Sequence, residues 1–235
     1  MGTLINVAAI IVASLLGVMF KKGLPERIQK SVMLALGLGL ATVSVGWFLQ
    51  GFFSVDGSSL TTSRELLIIV SLVVGILIGE TIDIDRRLNN WAENIERKYN
   101  LPPLAKGFIA ATLIFCVGAM TIIGPINDGL YNDQTVLIVK SMLDFVTALI
   151  LASIFGIGVI FSAISVLVIQ GGIFLLASQA DQFLTTDMTS ALLMVGSILL
   201  IAIGINFMEI KKIKVANMLP ALLIPIIYYL VISLF

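Results

Sequence analysis

Lys140, Asp144 and Gln170 are the side chains best placed to do chemistry, because each interrupts a run that is otherwise apolar. In a helix over 136–155, Asp144 falls beside the middle and Lys140 one turn toward the nearer end. If that run crosses a bilayer, an Asp at its centre is unfavourable by about 2.5–3.5 kcal/mol on insertion scales. Such a residue must face a bundle interior or a water-filled cavity and find a partner. Ser141 at i−3 and Thr147 at i+3 extend the polar face. Gln170 lies inside the next run with Ser162 on about the same side, and a short turn joining the two runs makes them antiparallel, so Gln170 and Asp144 sit at similar depth. Asn6 near the outer end of the first run, Asn206 near the inner end of the seventh and Asn217 at the start of the eighth add amides. Thr112 and Cys116 share a face of the fourth. A carboxylate among amide and hydroxyl oxygens is a hard-ligand set suited to Na⁺, H⁺ or a small polar solute. Lys140 has two arrangements open to it: an ion pair with Asp144 that neutralises both groups, or snorkelling to the outer interface.

Composition narrows the classes sharply. The chain is 59% hydrophobic and 12% charged, against about 25% charged in soluble domains, and its mean hydropathy is +1.10. Lys and Arg number 14, as do Asp and Glu, so no net charge recommends nucleic acid as a partner. There is no His and one cysteine, Cys116, which excludes imidazole-based zinc or haem sites, a His-paired nucleophile and an intrachain disulfide. No cofactor or metal is expected, and no enzyme. An intramembrane aspartyl hydrolase needs two carboxylates in different environments, and only Asp144 is deep. Ser141 and Lys140 are adjacent on one helix and do not face each other. Gly37-Leu38-Gly39 and Gly156-Ile157-Gly158 follow no strand and lack the Lys-Ser/Thr ending of a phosphate loop, so no ATP-driven pump is encoded. The start, Met1-Gly2-Thr3-Leu4, lacks a charged n-region, and the first run is expected to stay as a helix.

Runs of spanning length occur at about 3–20, 31–49, 66–82, 108–126, 136–155, 158–178, 190–208 and 217–235. Basic residues cluster after the first (Lys21, Lys22, Arg27, Lys30), third (Arg86, Arg87, Arg97, Lys98, Lys106) and seventh (Lys211, Lys212, Lys214). Alternating spans put all three clusters on one side, which the positive-inside rule makes cytoplasmic, with both termini outside. The other face carries Asp56, Glu65, Asp128, Asp133, Asp181 and Asp187 against Arg64, read as solvated loop ends. Ile84, Leu88, Trp91, Ile95 and Tyr99 line one face of a helix over 83–99, the pattern of an interfacial amphipathic helix. The chain thus divides into 1–82 (spans 1–3), the connection 83–106, and 107–235 (spans 4–8). Lys30-Ser31-Val32-Met33-Leu34 and Lys140-Ser141-Met142-Leu143-Asp144 open spans that run in opposite directions, so spans 1–3 and 4–6 read as inverted repeats with two further spans added.

Small residues recur at helical spacing as packing stripes: Asn6, Ala9, Ala13, Gly17; Ala35, Gly39, Thr42, Gly46; Ser71, Gly75, Gly79. Gly124-Pro125 with Asn127-Asp128-Gly129 is expected to end span 4, Gly156-Ile157-Gly158 to turn between spans 5 and 6, and Pro220 and Pro225 to interrupt span 8.

A family resemblance rests on Gly2-Thr3-Leu4-Ile5-Asn6, on Ala111 through Met120, on Lys140-Ser141 with Asp144, and on Gly156-Ile157-Gly158-Val159 with Phe161-Ser162-Ala163. Gln170-Gly171 and Asn217-Met218-Leu219-Pro220-Ala221 complete it. Over nearly its whole length the chain resembles the YqgA/YdfK-type bacterial inner-membrane proteins, a domain-of-unknown-function family. The resemblance implies a bacterial plasma-membrane location and supplies neither substrate nor catalytic residues. Where the family pattern has Gly after the Asp of the fifth span, this chain has Phe145.

The expectation is an all-α integral membrane protein with about eight transmembrane helices and one cytoplasmic interfacial helix, embedded in the lipid bilayer and homo-oligomeric. It would work as a secondary transporter of a small ion or polar solute around Asp144, Gln170 and Lys140. An ion channel and a non-transporting scaffold or sensor are the alternatives.

Overall fold

The computed structural model of the chain describes residues 2–21, 25–56, 59–62, 64–99, 104–116, 119–177 and 185–232. The helices are α1 (Gly2–Lys21), α2 (Glu26–Phe52), α3 (Glu65–Ile82), α4 (Ile84–Tyr99), α5 (Ala105–Cys116), α6 (Ala119–Tyr131), α7 (Thr135–Phe155), α8 (Ser162–Leu175), α9 (Thr186–Phe207) and α10 (Leu223–Ile232). A 3₁₀ segment, Ile157–Phe161, leads into α8, and another, Val215–Leu222, leads into α10. One antiparallel hairpin, β1 (Phe53–Asp56) with β2 (Ser59–Thr62), pairs Phe53 with Thr62 and Asp56 with Ser59. The hairpin was not expected from the sequence, since its strands have four residues each and too little alternation to register.

Among the described residues seven helical segments are long and apolar enough to cross a membrane, or eight if α5 and α6 form one broken span. Leu4, Met19, Leu66, Met142 and Leu175 are among many large apolar side chains left exposed along them, the outside expected of a protein solvated by lipid. Helix α4 forms where an amphipathic helix was expected, but the surroundings of Trp91, Ile95 and Tyr99 lie outside the described side chains.

Contacts gather the helices into two compact units that interleave along the chain instead of following the 1–82 and 107–235 division. One comprises Met1–Lys30 with Arg87–Gln182, the other Ser31–Arg86 with Phe183–Phe235.

In the first unit α1 and α7 lie parallel along their length, Gly2 against Leu137 at one end and Gly17 against Leu149 and Ala152 at the other. The stripe Asn6, Ala13, Gly17 faces this contact, and a Cβ at Gly17 would come within 2.9 Å of the Ala152 methyl. Close approach of backbones is how helices associate where lipid removes the hydrophobic drive. Gly156 ends α7 with φ 82°, and its N–H donates to the Ala152 carbonyl at 2.8 Å; a residue with a Cβ is strained there. The chain then turns directly into the 3₁₀ segment, as the sequence predicted. At the other end of α7 the Thr135 hydroxyl and N–H both bond the exposed Asp133 carboxylate and hold its pKa below the usual carboxylate range.

Span 4 differs from expectation. Helices α5, which ends at Cys116, and α6 are bent by 86° relative to each other, and α6 continues through Gly124-Pro125 and Asn127-Asp128-Gly129 to Tyr131. Pro125 therefore removes one hydrogen bond in the middle of α6 without ending it. Its neighbour Gly124 provides contact with Leu137.

The second unit packs Ile68, Ala191 and Met194 with Phe48, Phe52, Leu67, Leu72, Ile198 and Tyr229. Gly75 lies against Ala221 and Gly79 against Asn217, so the stripe on α3 seats the 3₁₀ segment Val215–Leu222. Pro220 falls inside that segment, while Pro225 falls in the first turn of α10, where its missing N–H has no helical partner to lose. Arg64, in left-handed conformation at φ 76°, donates to the Tyr229 hydroxyl at 3.0 Å and the Gly51 carbonyl at 3.3 Å, and pairs with Asp187. Of the acidic residues assigned to that face, Asp187 is thus paired with Arg64. The α2 stripe does not pack as expected: a Cβ at Gly39 or Gly46 would meet no described atom within 4 Å, and it is Gly37 that lies against Gly204.

These contrasts predict opposite responses to one substitution. Gly79→Ala overlaps the Asn217 carbonyl and should lower thermal stability in detergent by the about 1–3 kcal/mol typical of overpacking. Gly39→Ala meets open space and should leave the melting temperature unchanged or raise it. Equal losses at both sites would mean that the α2 face is packed.

Candidate functional site

Asp144 is the tenth of the 21 residues of α7, and Lys140 precedes it by one turn, so the two side chains lie one above the other on one face. The Lys140 ammonium donates to Asp144 Oδ1 at 3.1 Å and lies 2.9 Å from Oδ2 as an ion pair. Each residue is only 6% exposed. Of the two arrangements open to Lys140, the structure holds the intrahelical pair, and Asp144 also reaches across helices.

That reach is made by Asn6. Its Nδ2 donates to Asp144 Oδ2 at 2.9 Å and to Gln170 Oε1 at 3.4 Å. Asn6 and Gln170 are both 0% exposed, so α1, α7 and α8 each contribute to one buried polar cluster. The contact needs α1 and α7 close together, which Gly2, Ala13 and Gly17 permit. Among the described residues Asn6 Oδ1 and Gln170 Nε2 have no hydrogen-bond partner. An acceptor and a donor are thus left over beside a neutralised ion pair.

The remaining candidates are placed elsewhere or otherwise engaged. Ser141 donates to the Leu137 carbonyl at 2.6 Å, Thr147 to Leu143 at 2.9 Å and Ser162 to Val159 at 2.6 Å. Back-bonding to the preceding turn is the usual fate of such hydroxyls in apolar helices, and Thr147 is only half-buried. Asn206 exchanges two hydrogen bonds with Ile213, at 2.8 and 2.7 Å, and so closes the turn after α9. Asn217 Oδ1 accepts the Asp85 N–H at 2.7 Å. Both of these Asn residues belong to the second unit.

Two residues were underweighted from sequence. Cys116, the last residue of α5, has the Lys140 and Asp144 charges among those that act on it. Thr121 joins α6 to α5 by donating to the Phe115 carbonyl at 2.9 Å. Asp128, expected at a solvated loop end, is buried at 3% exposure and accepts the Gly2 N–H at 2.8 Å. A carboxylate suits the positive end of α1, but Asn-Asp-Gly reads as a turn, and only the helical run through Pro125 shows otherwise. Among the described residues no three His, Cys, Asp or Glu side chains group as metal ligands would.

Residues 1–230 match the family described as "Protein of unknown function (DUF554)". The "Uncharacterized membrane protein YdfK" of Bacillus subtilis (strain 168) is 35% identical over 235 residues, covering 100% of this chain and 97% of the relative. The "Uncharacterized protein YqgA" of Escherichia coli (strain K12) is 33% identical over 230 residues, covering 95% and 93%. No solved structure matches. Full-length similarity to these relatives, on a chain whose helices are of membrane-spanning length, identifies it as a membrane protein belonging to the DUF554 family.

Proposed function

We propose that the chain is a secondary transporter that carries a small ion or small polar solute across the bacterial plasma membrane, with Asp144 at the centre of its site. The observation that carries this reading is the position of the carboxylate. It lies beside the middle of a helix of spanning length and accepts from the Asn6 amide of a second helix, which also donates to Gln170 on a third. A buried ion pair is a poor way to gain stability, since well-packed apolar residues of similar volume are often as stable or more so. Ionisable groups at membrane depth more often mark the path of an ion or substrate.

The α5–α6 break beside Cys116 supports the same reading, because discontinuous helices commonly border transport sites. The four clustered residues all belong to the first unit, so access would be gated by movement among α1, α7, α8 and the broken pair. The basic residues after α3 and α9 favour a cytoplasmic position for those connections and so support a topology with both termini outside.

Flux into proteoliposomes tests the site. Wild type should show saturable uptake for at least one small cation or polar solute, and Asp144→Asn should reduce it at least tenfold with an unchanged size-exclusion profile. Uptake equal in the two proteins would remove Asp144 from the mechanism. Orientation is tested separately, in a Cys116→Ser background. A cysteine at Asp133 should react with impermeant maleimide from outside intact cells, and one at Lys211 only after lysis; the reverse pattern would invert the topology.

A further inference from the structure

The cluster around Asp144 leaves two hydrogen-bonding groups of opposite sense. A carboxylate only accepts, so Asn6 must turn Nδ2 toward Asp144; its second N–H then goes to Gln170, which must present Oε1. The orientation of both amides follows from Asp144 being ionised beside Lys140. What remains is fixed in kind: Asn6 Oδ1 as an acceptor and Gln170 Nε2 as a donor, both unpartnered among the described residues and both on fully buried side chains. Two amides facing each other squarely would bond along both edges. These two are bonded along one edge and open along the other. A buried polar group left without a partner is unfavourable, and this cluster holds two.

Charge restricts what can fill the open edge. Lys140 and Asp144 cancel each other. A bare cation would add charge beside an ammonium and face the Gln170 N–H groups. An anion would add charge beside a carboxylate and face the Asn6 carbonyl. Either leaves a net charge in a low-dielectric interior, which is strongly unfavourable even after relaxation. A molecule with a cationic donor at one end, an anionic acceptor at the other and no net charge meets every group present.

We propose that this site takes small zwitterions of the amino-acid type, the ammonium donating to Asn6 Oδ1 on the Asp144 side and the carboxylate accepting from Gln170 Nε2. The inference names the substrate class of the transport reading and rests on it for movement, though not for binding. It separates zwitterions by their donors: glycine or L-alanine can serve Asn6 Oδ1, whereas glycine betaine has no N–H to give.

The test pairs binding with flux. Thermal stabilisation of the purified protein and uptake of radiolabelled probe into proteoliposomes are measured for glycine, L-alanine, glycine betaine, glycinamide (net positive), acetate (net negative) and Na⁺. Saturable stabilisation by glycine or L-alanine, at least tenfold weaker for glycine betaine, glycinamide and acetate, is expected. Gln170→Glu, which turns the open donor into an acidic acceptor, should weaken the amino acids at least tenfold and favour glycinamide. Gln170→Met, of similar shape, should weaken them without that reversal. Binding without uptake would uphold the ligand class and overturn the carrier. Saturable Na⁺ or acetate uptake without amino-acid binding would overturn the ligand class and keep the carrier. Neither binding nor uptake for any probe would overturn both, leaving the open edge to ordered water.

Discussion

A carboxylate and an ammonium held in the middle of an apolar helix are the constraint to which much of the first unit answers. Neither charge is tolerable alone at that depth, and removing one partner of such a pair is destabilising by about 3–5 kcal/mol because the other is left bare. Spacing of four residues on α7 brings the charges together, yet Lys140 alone does not fill the carboxylate's hydrogen-bonding capacity. Asn6 completes it from α1 at 2.9 Å, and an Asn side chain is short. The donor can reach only if the backbones of α1 and α7 are nearly in contact. The small residues Gly2, Ala13 and Gly17 are therefore part of the site's chemistry, although they touch neither charge. The same closeness brings the first turn of α1 to α6, where Asp128 receives the Gly2 N–H.

The second unit is organised differently. Its helices carry no deep charge, and its polar contacts are concentrated where elements begin and end. Arg64 gathers Gly51, Asp187 and Tyr229, Asn206 clasps Ile213, and Lys214 lies 3.6 Å from Glu80 and 3.9 Å from Asp83. Such bonds fix how the helices enter and leave the membrane while the stretches between are held by apolar and glycine packing. The contrast supports the view that the polar middle of the first unit serves something other than folding.

Much of this was legible in the sequence, and the parts that were share a physical reason. A charge inside an apolar run has few tolerable explanations, so Lys140 and Asp144 announce themselves. Small residues at helical spacing on α1 and α3 mark real contacts for the same reason: lipid offers nothing else to drive helices together. Where the environment imposes less, sequence reading is weaker. The α2 stripe around Gly39 and Gly46 has the same spacing but faces no described atom, because small residues are also harmless against lipid. Asn-Asp-Gly after a proline looks like a turn, since local propensity cannot register that burial and the end of α1 hold Asp128 in a helix. Ser141, Thr147 and Ser162 looked like ligand donors, but a hydroxyl in an apolar helix has a carbonyl of its own within reach. Asn206 and Asn217 illustrate a further limit, because spacing says how deep an amide lies and not which helices stand beside it.

The cluster's net charge of zero has a bearing on how it could open. Separating Lys140 from Asp144 in place would expose two bare charges to a medium that solvates neither, so the pair is expected to stay together or part only as something replaces each contact. Asn6 and Gln170 are more readily rearranged, since a neutral amide loses about 1 kcal/mol net per hydrogen bond where an alternative partner is present. The softest boundary of the cluster is therefore the contact between α1 and α8, where the Asn6–Gln170 bond is already long at 3.4 Å. The bend of 86° between α5 and α6 lies in the same unit. A route into the site along that side would leave the ion pair intact as a fixed dipole, and what entered would be selected by how it met that dipole and not by its charge alone.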